Sequence, residues 1–256
     1  RLMQEIGRKL LHLAQTTGEM LFLLFETVYY FKEAPRNLSS ISRQMSDIGI
    51  GTLPIAVLMA LFSGMVMSLQ TGSELALYGS QEALGAIVGL SMIKELGPVM
   101  TSLLVAGRIG SAMAAEVGAM EVYEEIDALK TLEISPVRYL AMPRLLACLF
   151  TVPALTVFSM IVGIVGGGVV ADINPQINVP FRVYFDNMIQ VVEAKEVFKG
   201  LLKATVFGGI VALVGCYIGF KTTGGARGIG VSTTRSVVLS FLLIFIADYF
   251  LTRLML

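Results

Sequence analysis

Long apolar runs alternate with short charged connections along the 256 residues of the chain. A helix needs about 20 mostly apolar residues to cross a bilayer, and five segments meet that requirement. They are residues 48–71, 84–107, 145–171, 197–220 and 236–256. The pattern therefore predicts an all-α integral membrane protein with five transmembrane helices.

The residues before the first span predict one more helix, which lies along the membrane surface. Apolar residues recur at helical spacing through LMQEIGRKLLHLAQ, and this is typical of an amphipathic interfacial helix. Tyr29 and Tyr30 would then lie at the level of the lipid headgroups. We therefore divide the chain into residues 1–47, the interfacial helix with its connector, and residues 48–256, the five-span domain.

The distribution of basic residues predicts the orientation of the spans. Lys and Arg number six in residues 1–47, four in 108–144, three in 221–235 and none in 72–83. Cytoplasmic connections carry the excess of positive charge, so we expect a cytoplasmic N-terminus. One region disagrees, because residues 172–203 would lie outside and yet hold Arg182, Lys195, Lys199 and Lys203.

Composition and motifs argue against catalysis by this chain. The formal net charge is zero, which gives no general attraction to nucleic acid. A single histidine excludes the HExxH motif, the GxSxG motif is absent, and Cys148 and Cys216 lie in apolar runs without metal-ligand spacing. We predict no enzyme activity, no metal site and no nucleic-acid partner.

The glycine-rich connection KTTGGARGIGVSTTRS is the one stretch that suggests a nucleotide site. It lacks the GxxxxGK[ST] pattern, whose backbone amides and lysine hold phosphates. We instead expect a turn in which Ser232, Thr233 and Thr234 cap the fifth span. The sequence thus predicts no nucleotide or other cofactor bound by this chain.

Charged residues inside the predicted spans are the main candidates for function. Lys94 and Glu95 interrupt the second span within SMIKELGPVM, and Asp248 lies at a similar depth in the fifth. Such groups cost several kcal/mol and usually face a bundle interior, a partner or a watery cavity. Neighbouring helical residues point about 100° apart, so we expect Asp248 to pair with Lys94, and a kink at Gly97–Pro98. A purely structural role for these charges is the alternative.

Apolar residues near the outer ends of the first two spans could extend this site. Met67, Leu75 and Tyr78 belong to this group, and methionine gives an adaptable apolar surface, although core filling is its commoner role. An apolar cavity with one or two charges would suit an amphiphile with a polar head.

An acidic amphipathic helix is predicted for residues 121–134, between the second and third spans. Leu129 belongs to its apolar face, while Glu121, Glu124, Glu125 and Asp127 occupy other faces. So acidic a helix is repelled by the anionic cytoplasmic leaflet, which favours docking into a protein partner. An acidic solvated loop is the alternative interpretation.

The segment SMIKELGPVMTSLLVAGRIGSAMAAEVGAMEVYEEIDALKTLEISPVRYLAMPRLLA and the later GGARGIGVSTTRSVV resemble the MlaE-type permeases, membrane subunits of ABC lipid transporters that work with MCE proteins. The resemblance extends from about residue 15 to the end. It implies a homodimer of five-span subunits in a bacterial inner membrane, with cytoplasmic ATPases that bind ATP and Mg²⁺ and a hexameric MCE protein outside. Residues 121–134 would be the coupling helix that enters the ATPase.

The resemblance also implies a substrate and a site. Phospholipid would occupy an outward-opening cavity lined by Lys94, Glu95, Leu75 and Tyr78. We therefore expect a permease that moves phospholipid between the inner membrane and an MCE protein. The alternative is an ion-coupled secondary transporter in which Glu95 or Asp248 binds a proton; it would need no ATPase.

Overall fold

The structure, a computed structural model, describes the backbone of residues 2–255 and the side chains of residues 11, 14–35 and 37–255. Every regular element in this part of the chain is helical. The main helices are α1 (Leu2–Tyr29), α2 (Leu38–Leu77), α3 (Gln81–Val122), α4 (Glu125–Thr131), α5 (Val137–Ile173), α6 (Phe181–Val191), α7 (Ala194–Phe220) and α8 (Gly225–Met255). A 3₁₀ turn, Tyr30–Asn37, joins α1 to α2.

Five of these helices, α2, α3, α5, α7 and α8, are long and apolar enough to cross a membrane. The predicted fold class is therefore confirmed, although the helices extend beyond the predicted spans. α3 has 42 residues, about 63 Å at 1.5 Å per residue, against a hydrocarbon core of about 30 Å. Its ends must project beyond the lipid on at least one side.

Glycines allow the spans to pack closely, most clearly where α2 meets α5. A Cβ atom added to Gly64 would lie 1.9 Å from the carbonyl oxygen of Gly163. The two backbones thus approach to a distance that no side chain would permit, as is common between helices in membranes. Cys148 lies in the main core cluster, and it and Cys216 are buried free thiols, as expected.

The connections gather at two ends of the bundle. At one end, Lys221 after α7 forms an ion pair with Glu19 of α1, and Ile126 of α4 packs in a cluster with Val117 and Leu140. At the other end, Asn187 of α6 donates a hydrogen bond of 2.7 Å to the Glu82 carbonyl. The orientation of these ends in a membrane stays a prediction.

Two local predictions are corrected. Residues 172–203 contain the helix α6 before the start of α7, whereas the sequence predicted only a connection ahead of the span at 197–220. Ser232, Thr233 and Thr234 do not cap the fifth span, because α8 begins at Gly225 and the two threonines donate to the Gly230 carbonyl from inside the helix. In α1, the side chains of residues 2–10, 12 and 13 lie outside the described part, so the amphipathic face is not described there.

Candidate functional site

A π-helical turn places the first two charged side chains of the site. Residues Met92–Leu96 form this turn inside α3, and the Gly97 amide donates to the Met92 carbonyl, five residues back. Such turns often mark functional positions. Pro98 has no N–H to offer the Lys94 carbonyl, which an α-helix would pair with it. The ammonium of Lys203 donates to this oxygen instead, at 3.2 Å.

A glycine allows α7 to come close enough for that contact. A Cβ atom added to Gly200 would lie 2.2 Å from the Ile93 carbonyl oxygen, so no larger residue fits without displacing the backbone. Gly200 and Lys203 are three residues apart and therefore share a face of α7. The close approach brings the Lys203 ammonium directly against the π-helical turn.

Lys203 connects three spans through its ammonium group. Nζ lies 2.8 Å from each carboxylate oxygen of Glu95 on α3 and 3.0 Å from Oδ1 of Asp248 on α8. It also donates to the hydroxyl of Thr252 at 2.6 Å, one turn beyond Asp248. Lys203 is only 3% exposed, and this charge is stabilised by two carboxylates and a hydroxyl, as burial requires.

A second, more accessible ion pair lies next to it. Lys94 Nζ contacts Glu196 Oε2 at 2.9 Å, and Lys199 contacts the other oxygen of Glu196 at 3.2 Å. The Lys94 side chain is 39% exposed, against 4% for Lys203. A partly exposed lysine is better screened by solvent than a buried one, so Lys94 can exchange partners more readily than Lys203.

These groups line a single recess, hereafter the charged recess. Its space, including the solvent at its mouth, is about 310 Å³, and it is lined by Lys94, Glu95, Glu196, Lys199, Lys203, Thr252 and Met255. Together with Asp248 behind it, the recess contains three ammonium groups and three carboxylates. The charges balance within the protein, and an anionic group that enters must displace Glu196 from Lys94 or Lys199.

The structure brings together only some of the predicted site residues. Lys94, Glu95 and Asp248 lie in one charged network, but the expected pairing of Lys94 with Asp248 is wrong, since Asp248 contacts Lys203 and Lys94 contacts Glu196. The sequence analysis missed Lys203 because it was grouped with an outer connection. Its place in an apolar helical run, six residues inside the predicted span 197–220, was the signal that could have identified it.

The other predicted lining residues lie elsewhere. Met67 lines a separate open groove of about 650 Å³ with Phe62, Ser63, Val66, Gln70 and Leu96. Leu75 packs against the cluster around Tyr184 of α6, and Tyr78 at the end of α2 is 81% exposed. None of the three lines the charged recess, so their role in substrate binding stays a prediction.

The predicted acidic helix is present but shorter than expected. α4 covers only Glu125–Thr131, and Glu121 belongs to the last turn of α3. Glu124 and Glu133 adopt left-handed backbone conformations, with φ of 59° and 58°, which end regular helices on either side.

Burial separates the two faces of α4. Ile126 is buried and Leu129 half-buried against the bundle, while Glu124, Glu125 and Asp127 are exposed. The helix is therefore fixed to the end of α3 by its apolar side and presents its carboxylates outward.

Comparison with known proteins identifies the family. The profile of the Permease MlaE family matches residues 41–254. The chain belongs to the MlaE permease family. A probable ABC transporter permease protein of Rickettsia typhi is 36% identical over 98% of this chain and 96% of its own length. A probable ABC transporter permease protein of Synechocystis is 40% identical, over 91% of this chain and 88% of its own.

A plant relative belongs to the same group. The chloroplastic protein TRIGALACTOSYLDIACYLGLYCEROL 1 of Arabidopsis thaliana is 36% identical over 82% of this chain and 59% of its own length. Membership of the MlaE family, with relatives named as ABC transporter permeases, makes this chain a multi-pass membrane permease of an ABC transporter. Such a permease implies an ATPase partner, because ABC transporters are driven by ATP hydrolysis in separate subunits or domains.

Proposed function

We propose that this MlaE-family permease moves phospholipid between the inner membrane of a bacterium and an MCE protein, and that the lipid phosphate binds in the charged recess. The observation that carries the proposal is the partly exposed Lys94, paired with Glu196, beside the buried Lys203. A relative named for a galactolipid supports a lipid as the cargo. An open apolar groove lies nearby along α2. It supports a cargo that has an acyl chain as well as a polar head.

The residues of the charged recess would have two different roles, one structural and one in binding. Lys203 holds Glu95 and Asp248 in place, and so fixes α3, α7 and α8 relative to one another. Lys94 and Lys199 share Glu196 and can transfer to a phosphate, which accepts charge-assisted hydrogen bonds of the same kind. Since Lys94 presents a point charge rather than a planar fork, the recess would accept phosphodiesters with different headgroups.

The coupling to ATP hydrolysis would begin at α4. The exposed carboxylates of Glu124, Glu125 and Asp127 would contact a cytoplasmic ATPase, which binds ATP and Mg²⁺, and Leu129 would anchor the helix to the bundle. Movement of α4 would pass along α3 to the π-helical turn, because α3 runs from one to the other. This account requires a cytoplasmic N-terminus, with α6 and Tyr78 facing a hexameric MCE protein outside.

A second copy of the chain would complete the transporter. Only 22% and 11% of the most apolar parts of α2 and α8 are buried within one chain, so both helices have faces available for a homodimer. The alternative, an ion-coupled transporter using Glu95 or Asp248, is less well supported. Both carboxylates are already bound to Lys203, and the relatives are named ABC permeases.

Purification from the native membrane tests the assignment. The protein is isolated in mild detergent, and copurifying proteins and lipids are identified by mass spectrometry for the wild type, Lys94→Gln and the control Lys195→Gln, an exposed lysine of α7. We expect an ATPase and an MCE protein with all three, and a reduced amount of phospholipid only with Lys94→Gln. A wild type without an ATPase would refute the coupling, and equal lipid in all three would refute the site.

Charge reversal tests the role of α4 separately. The variant Glu125→Lys/Asp127→Lys should lose the ATPase while retaining phospholipid, because it changes only exposed residues of the helix. Glu74→Lys, an exposed position toward the other end of α2, is the control. Retention of the ATPase by the α4 variant would place the coupling contact elsewhere.

A further inference from the structure

A second recess lies at the opposite end of α8 from Thr252. It is an open recess whose space, including the solvent at its mouth, is about 600 Å³, and three cationic residues line it: Lys221, Arg227 and Arg235. We call it the basic recess. Arg235 and Thr252 are 17 residues apart on one helix, or about 25 Å at 1.5 Å per residue. The basic recess is therefore separate from the charged recess.

The positive charge of the basic recess is only partly compensated. Lys221 forms an ion pair with Glu19, and this contact, with the weaker one to Tyr217, raises the pKa of Lys221 and keeps it charged. Arg227 and Arg235 are exposed, and neither has an acidic partner within 4 Å among the described side chains. Two guanidinium groups are thus left to attract an anion.

The backbone of the same recess favours an anion as well. α8 begins at Gly225, and the amides and dipole of a helix N-terminus attract negative charge. A Cβ atom on Gly228 would lie 1.8 Å from the Thr223 carbonyl oxygen, so the connection folds tightly against the first turn. The connection that contains Thr223 and the two arginines therefore surround the same recess.

The exposed face of α8 changes from basic to apolar along its length. Arg227, Val231, Arg235, Val238 and Leu242 recur at intervals of three or four, so they share one face, and all five are exposed. The opposite face carries Ser232, Ser236, Ser240 and Ile244, which are buried. Along its exposed face, α8 thus presents cations near its start and hydrocarbon beyond them, which matches the order of headgroup and acyl chain in a lipid.

We propose that the basic recess binds a phosphate group, supplied by a phospholipid with net negative charge in the leaflet on the α4 side of the bundle. The headgroup phosphate contacts Arg227 and Arg235, and an acyl chain lies along Val238 and Leu242. A zwitterionic lipid is disfavoured because its own cation would meet the arginines. The proposal does not depend on phospholipid being the transported substrate, since the two recesses are separate.

A tryptophan reporter tests this directly, because the chain has no native tryptophan. Val231→Trp places a single fluorophore at the recess, which Val231 lines. The protein is reconstituted in vesicles of phosphatidylcholine with a minority of phosphatidylglycerol, and bromine quenchers are placed on the acyl chains of one lipid or the other. We expect brominated phosphatidylglycerol to quench several-fold more than its share of the bilayer, and Phe158→Trp on α5 to show no such excess.

Two double variants test whether the positive charge of the arginines causes the excess quenching. Arg227→Gln/Arg235→Gln should reduce the excess quenching at least about tenfold, since each basic residue near a membrane surface contributes about a factor of five. Arg227→Lys/Arg235→Lys should retain most of it. The control Arg43→Gln/Arg182→Gln removes two exposed arginines elsewhere and should change nothing.

Three results would overturn the proposal. Quenching by phosphatidylglycerol in proportion to its share would show that no selective site exists. Loss of the excess when inorganic phosphate replaces chloride at equal ionic strength would identify free phosphate as the ligand. Unchanged quenching, together with loss of a copurified soluble protein from Arg227→Gln/Arg235→Gln, would show that the arginines bind an acidic protein surface.

Discussion

At the scale of single residues, the local chemistry of α3 and α7 explains why a lysine is tolerated at 3% exposure inside the bundle. Pro98 leaves the Lys94 carbonyl without its helical donor, Gly200 lets α7 approach, and Lys203 donates to that oxygen while facing Glu95 and Asp248. These three features depend on one another: Lys203 can donate to the Lys94 carbonyl only because Pro98 leaves this oxygen unpaired and Gly200 lets α7 approach. The role of Lys203 is therefore mainly structural, whereas Lys94 is the lysine that can exchange its ion-pair partner.

Lys203→Met should destabilise the protein by about 2 kcal/mol. Breaking a fully buried pair costs about 3–5 kcal/mol, and the loss is smaller here because the Glu95 side chain is 41% exposed. The thermal midpoint in detergent, measured by size-exclusion chromatography, should fall. The triple variant Lys203→Met/Glu95→Gln/Asp248→Asn should recover part of the loss, and Lys195→Met should have no effect. An unchanged midpoint for Lys203→Met would contradict this account.

The contact between α1 and the end of α7 should depend on pH. Hydrogen bonds from Lys221, and then from Tyr217 and Gln15, lower the pKa of Glu19 from 4.5 to about 2. A carboxyl with a lowered pKa in the folded state contributes stability above its unfolded value and loses it as the pH falls through the folded value. Protection of the α1 amides from hydrogen exchange should therefore be complete at neutral pH and decline between about 4.5 and 2.

Glu19→Gln should show reduced protection of the same amides at neutral pH, and its difference from the wild type should disappear at the acidic end of that range. Glu26→Gln, seven residues further along α1, is the matched control. A wild type whose α1 protection does not change with pH would show that the Glu19 ion pair does not hold the helix.

At the scale of the elements, the apolar periodicity predicted the five spans, because each run is long enough to require burial in lipid. It could not place their ends, since α2 and α3 continue beyond the apolar runs through polar residues that are equally compatible with a helix. α6 was missed because its 11 residues lie among Asn, Pro and charged residues typical of a connection. The division of residues 121–134 arises from left-handed conformations at Glu124 and Glu133. Such conformations favour glycine, so a glutamate at these positions gives no sequence signal for them.

The packing of α2 against α5 should not tolerate a branched residue at Gly64. Gly64→Val would place Cβ 1.9 Å from the Gly163 carbonyl oxygen, and overpacking of this kind forces the helices apart at a cost of about 1–3 kcal/mol or more. We expect a lower thermal midpoint and a lower yield of monodisperse protein. Gly107→Val is the control, because nothing lies within 4 Å of its added Cβ. Equal midpoints for the two variants would contradict the observed packing.

At the scale of the whole molecule, two recesses of different character lie near opposite ends of α8. The charged recess has balanced charge and connects three spans through Lys203, whereas the basic recess has two unpaired guanidinium groups among the described residues. From sequence, Lys94, Glu95 and Asp248 could be recognised individually as costly intramembrane charges. Their actual partners, Lys203 and Glu196, could not, because pairing depends on how helices distant in sequence rotate against one another.

Photocrosslinking at the charged recess tests the central claim most directly. A photoreactive phenylalanine derivative is introduced at Met255, which lines the recess, or at the adjacent Leu254, which is 83% exposed, and lipid adducts are quantified in native membranes. We predict that Lys94→Gln reduces phospholipid adducts at position 255 about fivefold, as expected for the loss of one cation near a phosphate, and leaves those at 254 unchanged. Equal adduct yields at both positions, insensitive to Lys94→Gln, would contradict binding of phospholipid in the charged recess.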